Sequence, residues 1–250
     1  MHSPKFKSKA FRRAAIAAAV LLVLVAVCAI YLCDFYPADM DAVEAFTAGS
    51  TVAMRQAENG NLIWEPAQAS AGFIFYPGGK VAHTAYIPLM DALASKGIVC
   101  VLVEMPFRLA VLDMDAAAGI QAEYPQITDW YIGGHSLGGS MAASWLSDCT
   151  EDFQGLILLG SYSTADLSET GLSVLSIYGS EDLVLNREKY QQCRQNLPAD
   201  FQEIRIDGGC HAWFGMYGPQ EGDGIPQITN EAQITITADA IAALIQQQTE

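Results

Sequence analysis

The segment Gly134-His135-Ser136-Leu137-Gly138 sets a serine between two glycines, after the apolar run DWYIGGH (129–135) and before a stretch rich in small residues. On a sharp strand-to-helix turn the serine is pushed into the open. The flanking glycines remove Cβ atoms that would collide with neighbouring backbone. A serine hydroxyl is a weak nucleophile until a base takes its proton, and His211 is the only histidine downstream of Ser136. It lies in the loop DGGCHAWFG, directly after the run FQEIRI (201–206). An acid must hold that imidazole in the productive tautomer. The run LSVLSIYG (172–179) leads into Ser180-Glu181-Asp182, and Asp182 is preferred over Glu181 because a turn between strand and histidine favours the shorter side chain. Ser136, Asp182 and His211 then stand in the chain order expected of a strand-to-helix serine nucleophile.

A tetrahedral intermediate also needs hydrogen-bond donors for its oxyanion. The N–H of Leu137, next after the nucleophile, is the first. The second is expected in Tyr76-Pro77-Gly78-Gly79-Lys80, where glycines let backbone approach a substrate, and is assigned to Gly79. Lys80, Phe107, Trp213 and Phe214 are expected to line a shallow site for esters of some hydrophobic character. His83, Glu104 and Arg108 are read as loop charges with the option of orienting a polar group. No CxxC pair or His/Cys cluster has metal-ligand spacing, and Gly222-Asp223-Gly224 reads as a turn and not a calcium loop. No metal or cofactor is expected.

Short apolar runs that alternate with helical patterns must position these groups. The runs are GFIFYP (72–77), IVCVLVEM (98–105), DWYIGGH, GLILLG (155–160), LSVLSIYG and FQEIRI; helices are expected over 84–96, 113–123, 136–148, 186–196 and from about 231. Such alternation predicts an α/β fold, a mostly parallel sheet with helices on both faces. Asn59-Gly60 between 50–56 and 61–66 signals an antiparallel hairpin before it. In the last helix Asn230 and Gln233 resemble a capping pair, and Ile234, Ala238, Ile241 and Ile245 form one apolar stripe. Only SYSTADLSET separates Gly160 from Gly171, too little for a helical cap domain.

The first 33 residues differ from the rest. Ala14 to Cys33 is a run of 20 residues without a charge, enough to span a bilayer, preceded by Lys5, Lys7, Lys9, Arg12 and Arg13. The expected organisation is a basic cytoplasmic segment (1–13), one transmembrane anchor (14–33) and an extracytoplasmic domain (34–250). Secretion after cleavage of a signal peptide is the alternative. Outside the N-terminal segment 8 Lys/Arg face 28 Asp/Glu, a net of −20, so nucleic acid is excluded as a partner and the membrane enters through the anchor alone. Cys100, Cys149, Cys193 and Cys210 allow several disulfide pairings, with Cys100 expected as a small core residue.

Together GFIFYPGGK, VLVEMPFRLAVLD, YIGGHSLGG, SIYGSEDLV and GGCHAWFGMYGPQEGDG resemble the α/β-hydrolase fold-5 family, relatives of the dienelactone hydrolases, over roughly residues 40–245. The resemblance implies an α/β-hydrolase fold and the same Ser136, Asp182 and His211. Dienelactone hydrolases use a cysteine nucleophile where this chain has serine, so their lactone substrate does not carry over. Asparagine is expected before the histidine in similar sequences, and Cys210 stands there instead. The expected activity is hydrolysis of a small carboxylic ester or thioester through an acyl-enzyme. A serine peptidase or amidase on the same triad, or a non-catalytic membrane-anchored envelope binding protein, is the alternative.

Overall fold

A computed structural model describes residues 5–248. The chain divides into two compact units, the first ending at Phe35 and the second beginning at Tyr36. The first holds one helix, α1 (Lys5–Cys33). Within it an 18-residue window reaches a mean hydropathy of 3.0. That helix is long and apolar enough to cross a membrane, and a signal sequence fits the same description.

The second unit is built on eight strands: β1 (Met54–Gln56), β2 (Leu62–Trp64), β3 (Ala71–Tyr76), β4 (Ile98–Leu102), β5 (Trp130–His135), β6 (Gly155–Leu159), β7 (Ser173–Gly179) and β8 (Gln202–Ile206). They form one sheet in the order β1-β2-β4-β3-β5-β6-β7-β8. The β1–β2 and β2–β4 pairs are antiparallel and all later pairs parallel. The hairpin expected at Asn59-Gly60 joins β1 to β2, with Gly60 at φ 87°, a conformation open to glycine at little cost.

Helices α2 (Met40–Thr47), α3 (Ile87–Ala94), α4 (Leu137–Leu146), α5 (Arg187–Cys193) and α6 (Asn230–Gln248) complete the α/β-hydrolase fold. Side chains alternate across a strand, and the two faces follow from it. Phe73 and Phe75 of β3 and Ile157 and Leu159 of β6 join a core with Leu89 and Leu93 of α3 and Ile234, Ala238, Ile241 and Ile245 of α6. Ile74 and Tyr76, with Leu156 and Leu158, join the opposite core with Ala142, Ala143 and Leu146 of α4. The apolar stripe read in the last helix is therefore its core face. Between β6 and β7, residues 160–172 carry no helix or strand, so no large cap covers that edge.

Two expectations need correction. The helix predicted over 113–123 is replaced by two short 3-10 turns, Ala110–Leu112 and Ile120–Glu123. The buried Tyr76 hydroxyl donates to the Met114 carbonyl and accepts from the Ala117 N–H, both at 2.8 Å, and so takes backbone groups a helix would pair internally. Gly119, at φ 81°, interrupts the segment as well. Nor do Asn230 and Gln233 form a cap: Thr229 Oγ1 accepts from the Ala232 N–H at 3.2 Å, and both predicted residues reach toward the loop that carries His211.

The strand order reverses between β3 and β5: the chain leaves β3 toward β4 on one side and β5 toward β6 on the other. Connections that diverge in this way leave a crevice beyond the carboxyl ends of the two strands. Tyr76 pairs with Gly134 at that end, so the Pro77-Gly78-Gly79 loop lies beside the turn holding Ser136.

Candidate active site

Ser136 joins β5 to α4 at φ 52° and ψ −121°, a conformation that is costly for any residue with a side chain. The surroundings hold it there. Its N–H donates to the Leu159 carbonyl at 2.9 Å, and its own carbonyl accepts from Ser161 Oγ at 2.7 Å and the Ser140 N–H at 3.2 Å. Ser140 Oγ lies 3.0 Å from Ser161 Oγ and donates to the Tyr162 carbonyl at 2.8 Å. Gly138 is required by close approach, because a Cβ there would stand 2.2 Å from the Pro77 carbonyl oxygen.

Asp182 follows β7 and His211 follows β8, and their side chains meet: Nδ1 of His211 lies 2.9 Å from Oδ2 of Asp182, with both side chains essentially without solvent contact. Oδ1 of Asp182 accepts the N–H groups of Val184 at 3.0 Å and Leu185 at 2.8 Å, which fixes the carboxylate. Glu181, the other candidate acid, instead accepts from the Ser180 hydroxyl. The second ring nitrogen of His211, Nε2, has no hydrogen-bond partner among the described residues. His211 and Ser136 line one cavity of about 360 Å³. Gly160, at φ 51°, leaves the imidazole room, since a Cβ would come within 2.9 Å of His211 Nδ1.

The two residues assigned as oxyanion donors are neighbours. A Cβ built on Gly79 would stand 2.9 Å from Leu137 Cδ2. On either side of Gly79 the donors are engaged, the Gly78 N–H by the Tyr86 hydroxyl at 3.1 Å and the Lys80 N–H by the Arg108 carbonyl at 2.9 Å. Among the described residues the N–H groups of Gly79 and Leu137 bond to no partner.

Residues 72–235 match the model of the alpha/beta hydrolase family. The chain belongs to the alpha/beta hydrolase family. No curated protein matches it. Among solved structures it is similar to a dienelactone hydrolase from Anabaena variabilis, at 14% identity and a TM-score of 0.55, covering 79% of this chain and 98% of that one. It is similar also to the esterase domain of a Rhodothermus marinus protein, at 13% identity and a TM-score of 0.58, covering 79% of this chain and 98% of that one. At these identities the likeness shows the shared fold.

In this family member the predicted lining residues do not surround Ser136. Phe214 is fully buried, its ring 5.4 Å from that of His135, and serves as core beneath the site. Phe107, 60% exposed, lines a separate cavity with His83, Glu104 and Arg108. Trp213 lines a third, with Pro219 and Ile225. Lys80 is half-buried at φ 60°, its N–H committed to Arg108. The wall facing Ser136 comes instead from Met141 of α4, Tyr162 after β6, and Val184 and Leu185 after Asp182. Sequence reasoning missed these because they come from three separated segments that only the sheet order brings together. Among the described residues no group of three His, Cys, Asp or Glu side chains is arranged to hold a metal.

Two supports were also missed. Gln233 of α6 accepts the Cys210 N–H at 3.0 Å and donates to the Cys210 carbonyl at 2.8 Å, so both backbone groups of the residue before His211 are satisfied without the asparagine expected there. Burial and the nearby Asp223 push the Cys210 thiol up to about 12, which keeps it protonated and unreactive. Asp223 bridges the two loops of the Asp182–His211 pair, accepting the Ala212 N–H on Oδ2 at 2.8 Å and the Leu183 N–H on Oδ1 at 3.3 Å. A turn was expected there, and its carboxylate is a structural tie. Asp223→Ala leaves both N–H groups without their acceptor and is expected to cost about 1–3 kcal/mol. Thermal unfolding measures it: Tm falls by several degrees, and an unchanged Tm overturns the assignment.

Proposed function

We propose that the chain is a serine hydrolase that cleaves a carboxylic ester or thioester through an acyl-enzyme. The observation that carries this is the buried Asp182–His211 pair at 2.9 Å, whose outer imidazole nitrogen has no partner among the described residues and belongs to a side chain lining the same cavity as Ser136. Ser136 Oγ attacks the carbonyl carbon while His211 Nε2 takes its proton, and the Leu137 and Gly79 N–H groups donate to the oxyanion. His211 returns the proton to the departing alcohol or thiol as the carbonyl re-forms, leaving the acyl group on Ser136. Water, giving a proton to the same nitrogen, then releases the acid. Asp182 keeps the proton of His211 on Nδ1 and stabilises the imidazolium formed in each half. The names of the solved relatives, a dienelactone hydrolase and an esterase, agree with ester chemistry.

The cavity wall narrows the substrate. Its residues besides Ser136 and His211 are Leu137, Ser140, Met141, Gly160, Ser161, Tyr162, Thr164, Val184, Leu185 and Asn186, none with a charged side chain. An uncharged acyl group fits such a wall, and a carboxylate would lose hydration there with no cation to replace it.

In this reading α1 remains as an uncleaved anchor (14–33), with the basic segment 1–13 cytoplasmic and residues 34–250 extracytoplasmic, as the five basic residues ahead of the apolar run favour. The test uses the full chain in detergent with a fluorophosphonate probe, p-nitrophenyl acetate, butyrate and hemisuccinate, and amino-acid anilides. Labelling is expected, with the butyrate hydrolysed at least about 10-fold faster than the hemisuccinate, since one unpaired buried charge exceeds 1.4 kcal/mol. Faster cleavage of anilides would make the chain an amidase. Neither turnover nor labelling would leave a binding protein.

A further inference from the structure

Tyr86 ends the 3-10 turn His83–Tyr86 that leads into α3 and has no exposed surface. Its ring packs 5.2 Å from Phe75 and 5.8 Å from His135. Packing explains the ring and leaves the hydroxyl to be accounted for. That oxygen accepts the Gly78 N–H at 3.1 Å and lies 2.8 Å from His135 Nδ1. Both partners are themselves buried, so water cannot replace the hydroxyl.

The chain positions of the two partners give this bond its meaning. Gly78 immediately precedes Gly79, and His135 immediately precedes Ser136 and Leu137. One oxygen atom thus joins the residues ahead of the two segments that carry the N–H groups of Gly79 and Leu137. A phenol has one proton to give and room to accept two. With Gly78 donating to it, the arrangement that leaves fewest buried groups unmatched sends the phenol proton to Nδ1, so His135 is neutral with its own proton on Nε2. Burial, then the neighbouring His211 ring at 4.4 Å between centroids, disfavours a charged His135 in any case. A neutral imidazole there adds no positive charge beside His211 when the latter takes up a proton.

We infer that Tyr86 is a positioning residue: its hydroxyl ties the Gly78–Gly79 loop to the turn at His135–Leu137 and thereby sets the spacing of the oxyanion donors. This rests on the hydrolase reading above. A donor displaced by even a fraction of an ångström loses most in the transition state, where the oxyanion charge is largest.

The test is Tyr86→Phe in the full chain, which keeps the ring and deletes the oxygen. With p-nitrophenyl butyrate kcat is expected to fall about 10- to 100-fold while KM stays within about 2-fold, part of the roughly 10²–10³ that loss of a whole donor costs. Affinity for a trifluoromethyl ketone, whose hemiketal oxyanion occupies the same donors, falls in proportion. A purely structural tyrosine would lower Tm and leave both values at wild type, and that result overturns the proposal. Should Tyr86→Phe fail to fold, His135→Leu, which leaves no atom to accept the phenol proton, cuts the tie at its other end with the same expected split and the same overturning result. Amide exchange supplies a readout besides turnover: Gly78 N–H exchanges slowly in the wild type and faster in Tyr86→Phe, and fast exchange in the wild type overturns the tie. Ser136→Ala run alongside separates the failures, because wild-type turnover by that variant sinks the hydrolase reading and leaves amide exchange to judge Tyr86.

Discussion

Ser136→Ala is expected to lower kcat for p-nitrophenyl butyrate by about 10⁵–10⁶-fold and to abolish fluorophosphonate labelling, the scale set by loss of the nucleophile if the proposed triad acts as a unit. A small residual rate over water is expected if the Gly79 and Leu137 N–H groups serve as the proposed oxyanion donors, since the substitution leaves them in place. The variant should fold as well as the parent. The strain at position 136 belongs to a backbone with φ 52°, and alanine, with the same Cβ, neither relieves nor worsens it. Ser136→Gly separates the two effects: activity is lost to the same extent, while removal of the Cβ at so costly a conformation stabilises the fold by about 1–3 kcal/mol. Titration of activity and thermal unfolding on the two variants checks both parts. Wild-type labelling of Ser136→Ala would remove the assigned nucleophile, and a glycine variant less stable than the alanine variant would remove the strain argument.

On the proposed mechanism Asp182→Asn is expected to cost about 10⁴-fold in kcat, the loss that follows when a triad histidine is held in the wrong tautomer. The surroundings of Asp182 dictate that outcome. Oδ1 accepts two backbone N–H groups, from Val184 and Leu185, and only an oxygen can serve there. The asparagine side chain must therefore keep its oxygen at that position and turn its amide toward His211. An amide N–H against Nδ1, at the present 2.9 Å, makes Nδ1 the acceptor and moves the imidazole proton to Nε2. Nε2 then cannot accept from Ser136. Steady-state kinetics across pH tests this: the loss persists at neutral pH and is partly recovered in alkali, where hydroxide serves as base. A decrease below 10-fold would show that Asp182 does not set the tautomer.

How far these assignments could be read before folding varies with the physics behind each. The strand-to-helix turn at Ser136 was legible because its causes are local, glycines at 134 and 138 and a buried run before them. The parallel sheet was legible from apolar runs of strand length separated by helical patterns. The choice of Asp182 over Glu181 rests on side-chain length; Asp182 lies against His211 and Glu181 accepts from Ser180. The helix expected over 113–123 failed where a buried phenol, Tyr76, captured the backbone from across the fold. Phe214 was misread as cavity wall because hydrophobicity does not say which side of a loop faces the core.

The sequence alone determined what each short segment does by itself: which runs become strands, where glycine must stand, which serine sits on the sharp turn, and that an apolar helix long enough to cross a membrane comes first. Those properties depend on neighbours within a few residues. Tertiary structure decided everything that depends on two distant segments meeting. Tyr86 reaches both Gly78 and His135, Gln233 pairs with the backbone of Cys210 beside His211, and Asp223 joins the loops after β7 and β8. Each is a hydrogen bond between elements whose adjacency is set by strand order, and strand order is chosen by burial of the whole sheet, a sum no local pattern contains.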